Sequence, residues 1–212
     1  MASVATLYDV HGNLRALEAV LAEVPDDATI VVGGDICVAG DQPSETLERL
    51  RGLGDRVVWI RGNADRELHP AEEGLAPPEV LDPTRAALSD EQIEFLHGLP
   101  PTAQIDRVLY VHASPRNDLD IFTERTPEDR LVELFADVDA DVVVCGHTHM
   151  QFDRTIAGKR VVNSGSVGRP YDDEPGAYWT LDLEHRFTPY EGATAFELSR
   201  DEVLAEFTER GL

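Results

Sequence analysis

Cysteine is scarce in this chain of 212 residues, which contains only Cys37 and Cys145. Two cysteines, each close to other chemically active side chains, cannot build the disulfide framework that is typical of small secreted proteins. The first residues lead directly into an apolar segment without a basic region or a cleavage site, so we expect no secretory signal. These features predict a reducing, cytoplasmic setting.

Long apolar runs are also absent. No stretch approaches the roughly 18 to 20 apolar residues that a membrane-spanning helix needs, so we predict no membrane partner. Apolar residues still make up 42% of the chain, which favours a folded globule over disorder. The length predicts a single domain over residues 1–212 with a substantial core.

Positive charge is the third shortage. The chain has 18 basic and 41 acidic residues, a net charge of −23, and its one lysine is Lys159. A surface of this kind repels long polyanions, so we expect no long nucleic acid as the main partner. A metal cluster can still create one locally positive spot, and a small phosphate ester therefore fits better than a polynucleotide. The sequence leaves open whether the chain acts as a monomer or a homo-oligomer.

Five short apolar runs are present, at residues 5–8, 29–32, 57–60, 108–111 and 142–145. Short runs bounded by glycine and polar residues predict buried strands. Each run is followed by side chains that metals favour: Asp9 and His11, Asp35, Asn63, His112, and finally His147 and His149. Because ligands bind beyond the carboxyl ends of strands in open α/β sheets, we expect these residues to meet in one cleft.

The segments between the runs predict helices, so the order strand, helix, strand favours βαβ units and a largely parallel sheet. Capping residues and apolar spacing indicate helices over residues 13–24, 127–136 and 199–209. Two further helices are expected to begin at residues 43 and 89. Residues 68–83, rich in proline and glutamate, predict an irregular loop. Residues 155–162 predict a hairpin, and 178–183 with 186–190 predict paired strands, which together suggest a second, more antiparallel sheet.

The spacing of the polar residues suits metal binding. Asp9 and His11, like His147 and His149, are two positions apart, so both side chains of a pair point the same way from an extended backbone. Asp35 follows two glycines that allow a tight turn, and a carboxylate there can bridge two cations. Any one of these residues is equally a strand cap or turn residue, but all seven in order favour a metal site.

The series Asp-x-His, Gly-Gly-Asp, Gly-Asn-x-Asp, a strand-end histidine and Gly-His-x-His spans residues 9–149. It resembles the calcineurin-like metallophosphoesterase superfamily, in particular its small bacterial and archaeal phosphodiesterase-like members. The resemblance implies an α/β fold, a four-layer αββα sandwich of two mixed sheets flanked by helices. It also implies two divalent transition-metal ions. Imidazole and oxygen donors without thiolate suit manganese, our first choice, or iron, nickel, zinc or cobalt.

The resemblance further assigns roles. Asp9, His11 and His149 would hold the first ion, Asn63, His112 and His147 would hold the second, and Asp35 would bridge them. A metal-bridging hydroxide would then attack the phosphorus of a small phosphodiester. Asp35, Asn63 and Asp65 are the expected catalytic residues, and Asp65 is expected to act by orienting a neighbouring ligand.

Three arginines are candidates for binding the phosphate of the substrate. Arg66 and Arg116 follow the third and fourth motifs, and Arg169 lies in a loop of small residues at 163–170. A guanidinium group can hold a phosphate through two hydrogen bonds. For Arg66 and Arg116, an ion pair at the protein surface is as good an interpretation as phosphate binding. A structural role is favoured for Arg169 and Tyr171.

Two positions depart from the family pattern. Ala64 stands where many relatives have a histidine that helps the leaving group, and Tyr8 stands where serine is common. Alanine cannot donate a proton, which favours phosphodiesters over phosphomonoesters with poor leaving groups. A phosphomonoesterase or nucleotidase remains an alternative, as does a non-catalytic metal-binding module. The other histidines, His69, His97 and His185, are expected at the surface or at helix ends, and both cysteines are expected in the core.

Overall fold

The computed structural model describes residues 3–72, 74 and 76–212. In this part of the chain, ten strands form two five-stranded sheets. The strands are β1 (Val4–Leu7), β2 (Thr29–Val32), β3 (Val57–Trp59), β4 (Thr102–Ile105), β5 (Val108–Val111), β6 (Val142–Cys145), β7 (Phe152–Ile156), β8 (Lys159–Asn163), β9 (Ala177–Leu181) and β10 (Glu184–Thr188).

Both sheets are mixed, with parallel strands in the middle and an antiparallel partner at one or both ends. The first has the order β10-β9-β1-β2-β3 and the second the order β4-β5-β6-β8-β7. Pairs β1–β2, β2–β3, β5–β6 and β6–β8 are parallel. The predicted hairpin is confirmed as β7–β8. The expected second sheet contains this hairpin, but the expectation that β9 and β10 also belong to it was wrong, because β9 returns to pair with β1 of the first sheet.

The helices are α1 (Leu14–Leu21), α2 (Pro43–Arg51), α3 (Asn63–Glu67), α4 (Pro78–Ala87), α5 (Asp90–His97), α6 (Val132–Phe135) and α7 (Arg200–Arg210), with 3-10 turns at Gly54–Arg56 and Glu128–Arg130. The predicted starts of α1, α2, α5 and α7 are confirmed. Asn13, Ser89 and Ser199 cap their helices by accepting a backbone N–H with the side chain. None of the helices in the described residues is both long and apolar enough to cross a membrane.

Two predicted segments differ from the structure. Residues 68–83 are not wholly irregular, because α4 begins at Pro78. Proline is favoured in the first turn of a helix, so the two prolines at 77 and 78 mark a helix start; Glu73 and Leu75 of this segment lie outside the described residues. The helix expected over 127–136 is instead two elements, the 3-10 turn Glu128–Arg130 and the short helix α6. Leu131 lies between them.

The layers follow from the alternation of side chains along each strand. In β1 and the residue after it, Leu7 faces the helices and Tyr8 faces the other sheet; in β6, Val143 faces outward and Val144 inward. Three apolar clusters therefore lie between the layers. One lies between the first sheet and helices α1, α2 and α5, and one lies between the two sheets. The other lies on the outer face of the second sheet, around Phe135. The four-layer sandwich predicted from the sequence is confirmed.

Tyr8 joins the two sheets immediately below the strand ends. Its hydroxyl donates to the carbonyl of Val144, at 3.1 Å. Its ring passes so close to two glycines that a Cβ at Gly33 would lie 2.1 Å from it and a Cβ at Gly146 would lie 2.5 Å from it. The tyrosine that departs from the family pattern thus has a packing role that requires glycine at both positions.

Candidate metal centre

The carboxyl ends of five strands meet at one edge of the sandwich and bring all seven predicted ligands together. Two groups can be distinguished: the ligand atoms of Asp9, His11 and His149 lie within 4.8 Å of one another, and so do those of Asp35, His112 and His147. Asn63, at the start of α3, places its Oδ1 3.2 Å from Nε2 of His112.

Backbone carbonyls fix the orientation of three imidazoles. Nδ1 of His11 donates to the carbonyl of Val38 at 2.7 Å, and Nδ1 of His149 donates to the carbonyl of Arg169 at 2.7 Å. A neutral imidazole with its proton on Nδ1 presents a lone pair at Nε2. The two Nε2 atoms face each other at 3.0 Å. Two such lone pairs repel at this distance unless a cation lies between them.

Asp9 supplies the negative charge of this group. Its Oδ1 is buried without a hydrogen-bond donor among the described residues and lies 3.3 Å from Nε2 of His149, while Oδ2 accepts the backbone N–H of His147 at 2.9 Å. A buried carboxylate oxygen without a partner is costly. A divalent cation would satisfy this oxygen and both imidazoles at once, so the donor set fits a metal ion.

The second group is arranged around His112 in a similar way. Nδ1 of His112 donates to the carbonyl of Gly33 at 2.8 Å, and its Nε2 lies 3.6 Å from Oδ1 of Asp35. The same Oδ1 accepts the backbone N–H of Ala64 at 2.9 Å. Nε2 of His112 thus faces the oxygens of Asp35 and Asn63, an arrangement that suits a cation.

Burial sets the ionisation of these groups. It lowers the pKa of both His11 and His147 to about 3, with the charges of neighbouring imidazoles adding to the fall. Burial raises the pKa of Asp35 to about 6, and the charge of Asp9 adds to the rise. Burial also opposes ionisation of Asp9, but the imidazoles around it hold its pKa well below the ordinary value. Neutral imidazole is the form that binds metals.

Backbone strain is concentrated at the same residues. Of the ten non-glycine residues with positive φ in the described chain, five are proposed ligands: Asp9, His11, Asp35, His147 and His149, with φ between 50° and 65°. Such conformations are uncommon and cost free energy, and they cluster at functional sites. The unfavourable backbone conformations thus occur at the residues whose side chains point to a common centre.

Asp65 is completely buried and contacts backbone N–H groups. Its Oδ2 accepts from Asp35 at 2.8 Å and from Gly62 at 2.9 Å, and its Oδ1 accepts from Ile36 at 2.9 Å. Burial raises the pKa of Asp65 to about 7, the charge of Asp35 adds to the rise, and the N–H donors oppose it. The carboxylate therefore ties together the loops that carry Asp35 and Asn63 rather than facing the centre.

Glu67 is a residue that the sequence analysis missed. Its side chain is buried, its Oε1 accepts from Nδ2 of Asn63 at 3.4 Å, and its Oε2 accepts the backbone N–H of Ala76 at 2.9 Å. Because Nδ2 of Asn63 points to the carboxylate of Glu67, Oδ1 of Asn63 points toward His112. The available signal was the spacing of four residues between Asn63 and Glu67, which places both on one face of a helix.

The three candidate arginines have different surroundings. Arg66 forms an ion pair with Asp118, with 2.9 Å between Nε and Oδ2, and Arg116 pairs with Asp120 through two hydrogen bonds. These carboxylates compete with phosphate, although both arginines line a small cavity of about 300 Å³ next to His112. Arg169 lines a larger cavity, described below.

The remaining residues that the sequence singled out lie outside the centre or near its edge. Cys37 and Cys145 are buried free thiols in the core, as predicted. His69 and His97 stack at 4.3 Å and bond to glutamates, and the ligand atoms of His69, Glu94 and His97 also lie within 4.8 Å of one another. His185 bonds to a backbone carbonyl. Tyr171 stacks on His149 at 4.7 Å.

Comparison with known proteins gives a consistent family. The chain is 27% identical over 201 residues to the uncharacterized protein MJ0912 of Methanocaldococcus jannaschii, covering 80% of this chain and 77% of that one. It is 26% identical over 185 residues to phosphodiesterase YfcE of Escherichia coli strain K12, covering 82% and 84%. The structure of a metallophosphoesterase from Sphaerobacter thermophilus superposes with a TM-score of 0.74 at 23% identity, covering 100% and 94%.

The match to a family profile is equally broad. The profile described as the calcineurin-like phosphoesterase superfamily domain covers residues 3–186, and thus all seven residues of the centre. The chain belongs to the calcineurin-like phosphoesterase superfamily.

Proposed function

We propose that the protein is a metal-dependent phosphodiesterase that hydrolyses small phosphodiesters, with residues 1–212 forming a single metallophosphoesterase domain. The observation that carries the proposal is the pair of Nε2 atoms of His11 and His149, which face each other at 3.0 Å beside the unpartnered oxygen of Asp9. Family membership implies divalent metal ions, and the similarity to phosphodiesterase YfcE supports phosphodiesters as the substrate class.

In this proposal the side chains divide between two ions. Asp9, His11 and His149 would hold the first, Asn63, His112 and His147 would hold the second, and Asp35 would be shared by both. Two divalent ions at such a centre lower the pKa of bound water and neutralise charge on phosphoryl oxygens. The nitrogen and oxygen donors suit manganese, which we propose as the native metal.

The residues of the chain itself bind and orient the substrate. No side chain is needed as a nucleophile, because the seven residues of the centre act as ligands. The methyl group of Ala64, which is nearly buried, cannot protonate a leaving group, so esters with good leaving groups are the preferred substrates. The two buried thiols fit the reducing, cytoplasmic setting that we propose.

The test is the hydrolysis of bis-p-nitrophenyl phosphate and of p-nitrophenyl phosphate by metal-stripped protein, resupplied in turn with manganese, nickel, zinc or magnesium. We expect cleavage of the diester only after a transition metal is added, and its loss in His11→Gln but not in His185→Gln. Cleavage of the monoester alone would favour the phosphomonoesterase alternative. Failure to cleave either ester, with metal bound at full occupancy, would favour the non-catalytic module.

A further inference from the structure

A cleft of about 750 Å³ opens beside the first group of ligands, and we call it the side cleft. It is lined among others by His11, Asn13, Arg15, Arg169, Tyr190 and Phe196. We infer that the side cleft binds a second phosphate group carried by the substrate, so that the preferred substrates are phosphodiesters with a further phosphate on one arm. This inference rests on the proposed function, because it concerns the other end of the molecule that the metal centre cleaves.

The first observation is that neither arginine of the side cleft has a guanidinium hydrogen bond or ion pair within the described residues. Ten of the 17 arginines form ion pairs within the described residues. The guanidinium groups of Arg15 and Arg169 have neither an ion pair nor a hydrogen bond there. In a chain with 41 acidic residues, two such cations in one cleft indicate an anionic ligand.

The second observation is that Arg169 is placed by the metal centre itself. Its backbone carbonyl accepts the hydrogen bond from Nδ1 of His149 at 2.7 Å, and its guanidinium lies 5.9 Å from the ring centre of Phe196. The hydrogen bond from His149 holds the backbone of Arg169 next to the first group of proposed ligands, and Phe196 lies beside the guanidinium. Gly192 leaves room for the other cation, because a Cβ there would lie 3.2 Å from Nη1 of Arg15.

The third observation concerns the wall of the side cleft. Tyr190 and Phe196 follow residue 186, where the family match ends, so this wall belongs to the part of the chain outside that match. The hydroxyl of Tyr190 accepts from Nδ2 of Asn13 at 3.0 Å. Phe196 packs on Tyr171 at 4.4 Å, which in turn stacks on His149. The wall is thus attached to the residues around the centre.

The lining also limits what the ligand is. Asp41 and Glu197 share the side cleft but form no ion pair with either arginine within the described residues. Carboxylates accept hydrogen bonds from hydroxyl or amino groups and repel extended polyanions. The volume falls in the range of small-molecule sites and exceeds that of a phosphate ion. A sugar phosphate arm, with hydroxyl groups for the carboxylates and one phosphate for the arginines, matches this lining.

The test uses two diesters with the same scissile bond. One is the p-nitrophenyl ester of thymidine 5′-phosphate with a free 3′-hydroxyl group, and the other carries a 3′-phosphate. For the manganese-loaded protein we expect kcat/KM to be at least about tenfold higher for the 3′-phosphate, equivalent to about 1.4 kcal/mol. In Arg15→Gln and Arg169→Gln this ratio should fall toward one.

The matched control is Arg130→Gln. Arg130 is an exposed arginine of the 3-10 turn Glu128–Arg130, it has no ion pair within the described residues, and it does not line the side cleft. This variant should keep the ratio of the wild-type protein. An equal kcat/KM for both diesters in the wild-type protein, or a ratio that neither cleft variant changes, would overturn the inference while leaving the proposed function intact.

Two further outcomes are decisive. A 3′-hemisuccinate ester that gains as much as the 3′-phosphate would show that any anion suffices and would overturn the assignment to phosphate. No hydrolysis of these diesters or of bis-p-nitrophenyl phosphate would overturn the proposed function, and the inference with it.

Discussion

Among single side chains, the metal centre is positioned largely by the backbone. Each of His11, His112 and His149 donates from Nδ1 to a carbonyl, and the carboxylate of Asp65 binds three N–H groups of the surrounding loops. Second contacts of this kind fix the orientation of metal ligands and are costly to remove. Substitutions at the ligands and at their supports should therefore have separable effects.

Asp35→Asn should separate catalysis from folding. Asparagine keeps an oxygen that accepts the N–H of Ala64 and removes the buried charge whose burial raises the pKa of Asp35, so the free energy of unfolding of the metal-free protein should not fall. A neutral amide cannot replace a carboxylate that is shared by two cations in the proposed centre, so we expect kcat/KM for bis-p-nitrophenyl phosphate to fall at least about 100-fold. Asp55→Asn, at an exposed position, is the control. Wild-type kcat/KM in Asp35→Asn would contradict the role of Asp35.

Glu67→Ala should loosen the second group of ligands. Without Glu67 the amide of Asn63 loses the acceptor that turns its oxygen toward His112. We expect the affinity for manganese, measured by equilibrium dialysis, to fall about 10- to 100-fold. Glu67→Gln should restore part of it, because its carbonyl oxygen can still accept from Asn63. An unchanged affinity in Glu67→Ala, compared with the exposed control Glu79→Ala, would show that Glu67 has no orienting role.

The sequence pointed to the proposed ligands more readily than to the residues that support them. Asp9, His11 and the other proposed ligands follow β-rich runs, so a local pattern suggests them. Glu67 was missed because it lies in α3, a helix of five residues that begins at a predicted ligand and precedes a proline-rich stretch. The ion pair of Arg116 with Asp120 was an open alternative, because no local pattern decides between a carboxylate and a phosphate partner.

Among helices and strands, the turns after β2 and β3, which carry Asp35 and Asn63, lie in close contact with each other and with His112. Gly34 has a φ of +92°, and a Cβ there would lie 2.3 Å from the backbone nitrogen of Gly62 and 2.8 Å from Nδ1 of His112. Neither neighbour is the end of a flexible side chain. The close approach therefore depends on the absence of a side chain at this position.

Gly34→Ala and Gly158→Ala form a matched pair that separates backbone conformation from crowding. Gly158 also has a positive φ, of +77°, but no heavy atom of the described part of the chain lies within 4 Å of a Cβ there. We expect Gly158→Ala to lower the free energy of unfolding by about 1 kcal/mol. Gly34→Ala should lower it by at least about 3 kcal/mol, because the turns must also move apart. Equal losses in urea unfolding would contradict the crowding argument.

Strand pairing shows where a local pattern stops being informative. The sequence indicated that residues 178–190 form two paired strands, and they do so as β9 and β10. The sequence did not indicate which sheet β9 and β10 join, because the choice depends on the pairing of β9 with the edge of β1, which is distant in sequence. The start of α4 was hidden by prolines that are equally common in loops and in first turns.

For the molecule as a whole, the net charge of −23 is the main property that no single element explains. Like charges destabilise the compact state, and salt screens them. We expect the Tm of the metal-free protein to rise between about 0.01 and 1 M sodium chloride, by about 2–4 °C for each kcal/mol gained. Choline chloride should act equally. A Tm that is independent of salt, or that responds to sodium alone, would contradict the screening argument.

The central claim is that residues from both sheets hold two metal ions at one edge of the sandwich. The most direct test is an anomalous difference map from crystals of the manganese-loaded protein. We predict two peaks about 3.5–4 Å apart, one contacting His11 and His149 and the other contacting His112 and His147, with Asp35 between them. A single peak at this edge, or peaks only at His69, Glu94 and His97, would contradict the account.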